Sequence, residues 1–124
     1  MRLLLDTRVL IWWSGGKPIA AAAADAIRAS DNEVVISAAS VWEAEIKAAG
    51  GKLRLTADLE REPADHGLRS LDISAAHATA AAHLPMHHAD PFDRMLVAQA
   101  QLEGLTLVTR DPVFDDYAVA VLRA

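Results

Sequence analysis

"PFDRMLVAQAQLEGLTLVTRDP" (residues 91–112) runs from a helix into a strand and on to a second helix-start signal. Asp90, just ahead of it, and Pro91 supply an N-cap and a first-position proline. Asp93 falls in the first turn, where the helix dipole favours a negative charge. Gly104 stops the helix. LTLVT (105–109) then has the composition of a strand, and Asp111-Pro112 repeats the cap-plus-proline signature.

The same alternation extends through the chain. RLLLD (2–6) and EVVIS (33–37) are strand-like, and each leads into a helix, TRVLIWW (7–13) and AASVWEAEIKAA (38–49). GGKP breaks the first helix, and Gly50-Gly51 closes the second. PIAAAAADAIRAS (18–30) is helical by its alanine content; 57–66 and AAHATAAAHL (75–84) are also read as helices. LRSLDIS (68–74) is a short strand, and YAVAVL (117–122) the last one. Strands of about five residues between helices of about ten predict an α/β fold with a central, mainly parallel sheet. With 124 residues and no repeat or linker, one domain over 1–124 is expected.

The formal charge of −5 argues against a passive nucleic-acid binder, which presents a basic face. An acidic enzyme that reaches nucleic acid through metal ions remains open. The absence of cysteine excludes disulfides and thiolate metal sites. MRLLLD is too short for a signal peptide, and no apolar run approaches the roughly 20 residues of a membrane span. A soluble, cytoplasmic protein with no membrane partner is the expectation.

Parallel sheets bind ligands outside the carboxyl ends of their strands. Asp6 follows the first strand directly, and Asp111 lies two residues past LTLVT. Glu43 stands less than two turns into the helix that leaves EVVIS. Each also has a local explanation: Asp6 and Asp111 as helix caps, and Glu43 as part of the capping-box pattern Ser40-Val41-Trp42-Glu43. Helical phase singles out Asp93. It shares a stripe with Leu96, Val97, Ala100 and Gly104, which should face the sheet, while Arg94, Ala98 and Gln101 face away. A carboxylate heading a buried stripe needs a partner. If Asp6, Glu43, Asp93 and Asp111 meet, they require a cation, and all-oxygen ligands select Mg²⁺ or Mn²⁺. Such a site suits metal-assisted phosphodiester hydrolysis.

LLLDTRVLIWW, ISAASVWEAEIKAAGGKL, LPMHHADPFDRMLVAQA and LVTRDPVF together resemble the PIN-domain ribonucleases, in particular the VapC toxins of toxin–antitoxin pairs. The resemblance runs from about Leu3 to Leu122, with four blocks in order. It implies a three-layer α/β/α sandwich and a Mg²⁺-dependent endoribonuclease that hydrolyses RNA with metal-activated water. By motif, Asp6, Glu43, Asp93 and Asp111 are the catalytic and metal-holding acids. Asp90 either supports the metal or only caps its helix. Ser37 and Thr109 stand where small hydroxyl residues line the family's site, and Arg8 and Arg110 are candidates for substrate phosphate, as are Lys47 and Arg94. The implied partners are RNA, a cognate antitoxin and a second copy of the chain. One departure is Arg8, where related toxins often carry histidine; arginine cannot exchange a proton near neutral pH.

His87 and His88 with Asp90 superficially offer zinc ligands, but adjacent residues rarely both bind one ion. His66, His77 and His83 are read as surface or packing residues. Trp12, Trp13 and Trp42 are most simply core, although Trp12 and Trp13 cannot both face inward on one helix. Two rivals stand beside the nuclease. A phospho-receiver module should show an acidic pair after the first strand and an acceptor aspartate on a central one, where this chain has Asp6 alone and Ser37. A non-catalytic binding domain is the other.

Overall fold

The computed structural model describes all 124 residues. Five strands form one sheet: β1 (Arg2–Leu5), β2 (Glu33–Ser37), β3 (Arg69–Leu71), β4 (Thr106–Thr109) and β5 (Val121–Arg123). Their order is β3-β2-β1-β4-β5, and every pairing is parallel. β1 is central, with Leu4 opposite Val35 on one side and Leu107 on the other.

Strand alternation divides the interior into two cores. Leu3 and Leu5 point into one, with Val34, Ile36 and Val108, where α1 (Thr7–Ser14) and α2 (Ala21–Arg28) pack. Leu4, Val35 and Leu107 point into the other, against Leu96, Val97 and Ala100 of α6 (Pro91–Glu103). Burial on both faces explains the uninterrupted apolar run Leu3-Leu4-Leu5, all three fully buried. Helix α3 (Ala38–Ala49) touches both α1 and α6, and its Ala39 and Ala44 lie in different cores. Two further helices, α4 (Glu62–His66) and α5 (Ala75–Ala82), complete the layers, with α5 laid along α6. The expected α/β/α sandwich is therefore present.

Several expectations change. The last strand is Val121–Arg123 rather than 117–122, because its partner residues Leu107, Val108 and Thr109 pair with Val121, Leu122 and Arg123. Tyr117 instead turns its hydroxyl to the Pro85 carbonyl (2.9 Å). The helix expected over 57–66 is confined to Glu62–His66. Arg94 and Ala98 do not face away from the core: both are buried, because α5 covers that side of α6. The Arg94 guanidinium donates to the carbonyls of Ala81 (2.9 Å), Leu84 (3.0 Å) and Pro85 (3.0 Å), where α5 ends. This assigns Arg94 to the fold and removes it from the phosphate candidates. Trp42 is not a core residue; it is 61% exposed and meets Phe92 edge to face at 5.1 Å.

Candidate active site

The chain leaves β1 and β4 in opposite directions. After β1, α1 carries Val9 and Leu10 into the first core; after β4, a 3₁₀ turn (Pro112–Asp116) carries Phe114 into the second. A crevice opens where adjacent parallel strands part in this way. It forms a cavity of about 310 Å³ lined by Asp6, Glu43, Asp90, Asp93 and Asp111 with Arg8, Lys47 and Arg110. The four acids singled out from sequence, and Asp90, therefore share one cavity.

Three of these acids are also helix caps. Asp6 Oδ1 accepts from Val9 N (2.8 Å), and Asp111 Oδ1 from Val113 N (3.0 Å). Asp90 Oδ1 accepts from both Phe92 N (2.8 Å) and Asp93 N (3.0 Å). Glu43 has no such duty. The cap of α3 is Ser37, whose Oγ accepts from Ala39 N, and Ser40 Oγ finds no partner, so the expected capping box is absent. The helix holds Glu43 at the cavity wall, 8% exposed, with Oε2 3.1 Å from Lys47 Nζ. Its Oε1 is buried with no hydrogen-bond partner.

The electrostatics match this crowding. Burial raises the Asp6 carboxyl above its usual range; hydrogen bonds from Thr109 and Val9 and the charge of Arg8 pull it back, and Asp111 pushes it up. Asp93 is raised to about 6, chiefly by burial. The His88 contact lowers it, while Asp90 and Glu43 raise it. Carboxylates held in this way are stabilised by a cation, and oxygen donors suit a hard divalent ion. The unpartnered Glu43 Oε1 fits such an ion.

His88, which the sequence raised only with His87 and Asp90 as a superficial zinc set and then set aside, does stand at the site. Its Nε2 lies 2.8 Å from Asp93 Oδ2, and with Asp90 it forms a compact group whose ligand atoms fall within 4.8 Å of one another. The adjacent histidines diverge: His87 packs edge-on against Tyr117 at 5.1 Å, and His88 turns inward. The available signal was a histidine two residues ahead of the cap.

Ser37 and Thr109 do not line the cavity. Both are fully buried, because each hydroxyl is spent on holding another group. Ser37 Oγ donates to Gln99 Oε1 at 2.5 Å, and Thr109 Oγ1 donates to Asp6 Oδ2. This replaces their expected role against substrate with one of positioning. Arg8 and Arg110 do reach the cavity. Arg110 lies over the Trp12 ring at 4.4 Å and donates through Nε and Nη2 to the Ala124 carbonyl (3.2 and 3.0 Å). Trp13 turns elsewhere, edge-on to His66 at 5.2 Å.

The sequence pattern of the PIN domain family matches residues 3–120. The chain belongs to this family. No curated protein matches the sequence closely enough to count as a relative. As a fold, this PIN domain is similar to a chain of VapBC2 from Rickettsia felis bound to promoter DNA, with a TM-score of 0.71 at 16% identity over 99% of this chain and 98% of that one. It is also similar to a chain of DNA-bound VapBC from Salmonella typhimurium (TM-score 0.69, 18% identity, 99% and 98% covered). A toxin–antitoxin complex from Klebsiella pneumoniae gives a TM-score of 0.68 at 23% identity, with 97% and 95% covered. PIN domains are in general nucleases, and they typically use divalent metals. No helix here is long and apolar enough to cross a membrane.

Proposed function

We propose that this PIN domain is a Mg²⁺-dependent endoribonuclease and the VapC-type toxin of a toxin–antitoxin pair, acting in the cytoplasm as a single domain over 1–124. The observation that carries the reading is the convergence of Asp6, Glu43, Asp93 and Asp111, from four separate segments, on one cavity at the parting of β1 and β4. These four would hold the ion, Mg²⁺ or its substitute Mn²⁺, with Asp90 beside them as cap and neighbour. Such an ion supplies activation of water and stabilisation of charge on the phosphate.

The chain's own groups divide the remaining work. Thr109 fixes the Asp6 carboxylate, and His88 the Asp93 carboxylate. Arg110, held on Trp12 and by the Ala124 carbonyl, and Arg8 at the cavity lining are the cations for substrate phosphate. A guanidinium in place of the family's frequent histidine suits phosphate binding rather than proton transfer. The matched structures are toxin–antitoxin complexes, which supports a cognate antitoxin as partner. A second copy of the chain is the other proposed partner, and the exposed Trp42 and Ile46 supply apolar surface suited to an interface.

The receiver reading loses ground because a receiver sheet runs 2-1-3-4-5, whereas this one runs 3-2-1-4-5. The direct test is cleavage of RNA with Mg²⁺, with EDTA as control, by the wild type, Asp6→Asn and Asp93→Asn, each checked for folding. Loss of cleavage with EDTA and in both variants is expected. Equal cleavage by all three proteins overturns the site, and no cleavage by the wild type leaves the non-catalytic module.

A further inference from the structure

The cavity already contains a cation in contact with one of its acids. Lys47 Nζ lies 3.1 Å from Glu43 Oε2, and both residues line the cavity. A glutamate–lysine pair four residues apart is ordinary on a helix surface, where both ends stand in water and contribute little. Here the acid end is buried while the lysine side chain remains 41% exposed. Arg8 and Arg110 make no ion pair with any of the five cavity acids, so Lys47 alone among the cavity's Lys and Arg residues does.

Glu43 is thereby split. Its Oε2 is committed to the ammonium, and its buried Oε1 has no partner. Formal charge gives a second, independent argument. Five carboxylates against three fixed cations leave an excess of two negative charges in the cavity. One divalent ion balances that excess; without Lys47 the excess is three, so one ion leaves a negative charge over and the freed Glu43 Oε2 is open to a second.

We infer that Lys47 is the site's built-in second cation: the cavity takes up one divalent ion, and Glu43 divides its oxygens between that ion and the Lys47 ammonium. The inference rests on the metal-dependent reading above and deepens it. It also places a fixed positive charge at the cavity wall, available to substrate phosphate without a second ion.

The test counts ions. Mn²⁺ is titrated into the whole protein near pH 7 and the unbound ion followed by electron paramagnetic resonance, without RNA. Cavity sites are those lost in the Asp6→Asn/Asp93→Asn double variant. One ion per chain is expected for the wild type and for Lys47→Arg, and two for Lys47→Met and Lys47→Gln. Two ions in the wild type, or one in both neutral variants, overturns the inference. A wild type that cleaves RNA with Mg²⁺ yet shows either result fails this inference alone. A wild type that neither binds Mn²⁺ nor cleaves fails the metal-dependent reading itself.

Discussion

The Thr109 hydroxyl at the end of β4 donates to Asp6 Oδ2 just past β1. The same Oγ1 accepts from the Asp111 backbone N–H at 3.0 Å. One buried hydroxyl therefore sets two of the cavity acids, Asp6 through its side chain and Asp111 through its backbone. Thr109→Val keeps the shape and deletes both bonds. A hydrogen bond to a charged group is worth about 1.5–3 kcal/mol, so RNA cleavage should fall by roughly tenfold or more. The variant should still unfold cooperatively; wild-type cleavage would show that Asp6 needs no such support.

Asp90 and Asp93 should separate by substitution. Asparagine caps a helix about as well as aspartate, so Asp90→Asn should retain measurable cleavage and near-native stability. Asp90→Ala, which loses both cap bonds, should cost about 1 kcal/mol in a denaturant titration. Asp93→Asn should abolish cleavage. Equal loss in Asp90→Asn and Asp93→Asn would make Asp90 a working ligand.

The two raised carboxyls give the ion-free protein a pH dependence of definite sign. Asp93 binds its proton more tightly folded than unfolded, with a pKa of about 6 against 3.8. Its contribution is complete below about pH 4 and is lost as pH rises through 6, by at most about 3 kcal/mol. Asp6 is shifted in the same direction. Glu33, lowered by Arg69 and Arg2, works the opposite way, but its contribution is already present above pH 4.5. The Tm in EDTA should therefore fall between pH 5 and pH 7, and Mg²⁺ should raise it more at pH 7. A Tm insensitive to Mg²⁺ at pH 7 would count against ion binding by these acids.

Arg94 should be among the least replaceable residues for stability. Arg94→Met removes the donors to the carbonyls of Ala81, Leu84 and Pro85. The expected loss is on the order of 3 kcal/mol. Arg94→Lys should not restore it, because one ammonium cannot span the guanidinium's fork. A variant as stable as wild type by denaturant titration would show that water satisfies these carbonyls.

The meeting of Asp6 and Asp111 in one cavity was legible because a helix-cap position and the ligand-binding edge of a parallel sheet coincide. A residue that ends a parallel strand and starts the next helix stands both at the helix N-terminus and at the edge where ligands bind, so Asp6 and Asp111 carried both signals. Arg94 was misplaced by phase because the opposing surface, α5, is nearly all alanine and carries no strong periodicity to announce a contact. Ser37 and Thr109 were expected to face substrate, but their hydroxyls are turned to Gln99 and Asp6. Whether a hydroxyl faces a cavity or a neighbouring side chain depends on packing between strands and helices distant in sequence, here Ser37 against Gln99. His88 depended on how two adjacent rings part after Pro85, which spacing does not encode.

Because α1 and the 3₁₀ turn after β4 enter opposite cores, the cavity is a place where both layers meet. An occupant that binds Asp6 and Asp93 together would fasten α1 to α6 across the sheet. Amide hydrogen exchange should then slow in both helices at once, with no change in the far edge strand β3. The cavity would act as a clasp between two halves otherwise joined by their shared strands and by α3.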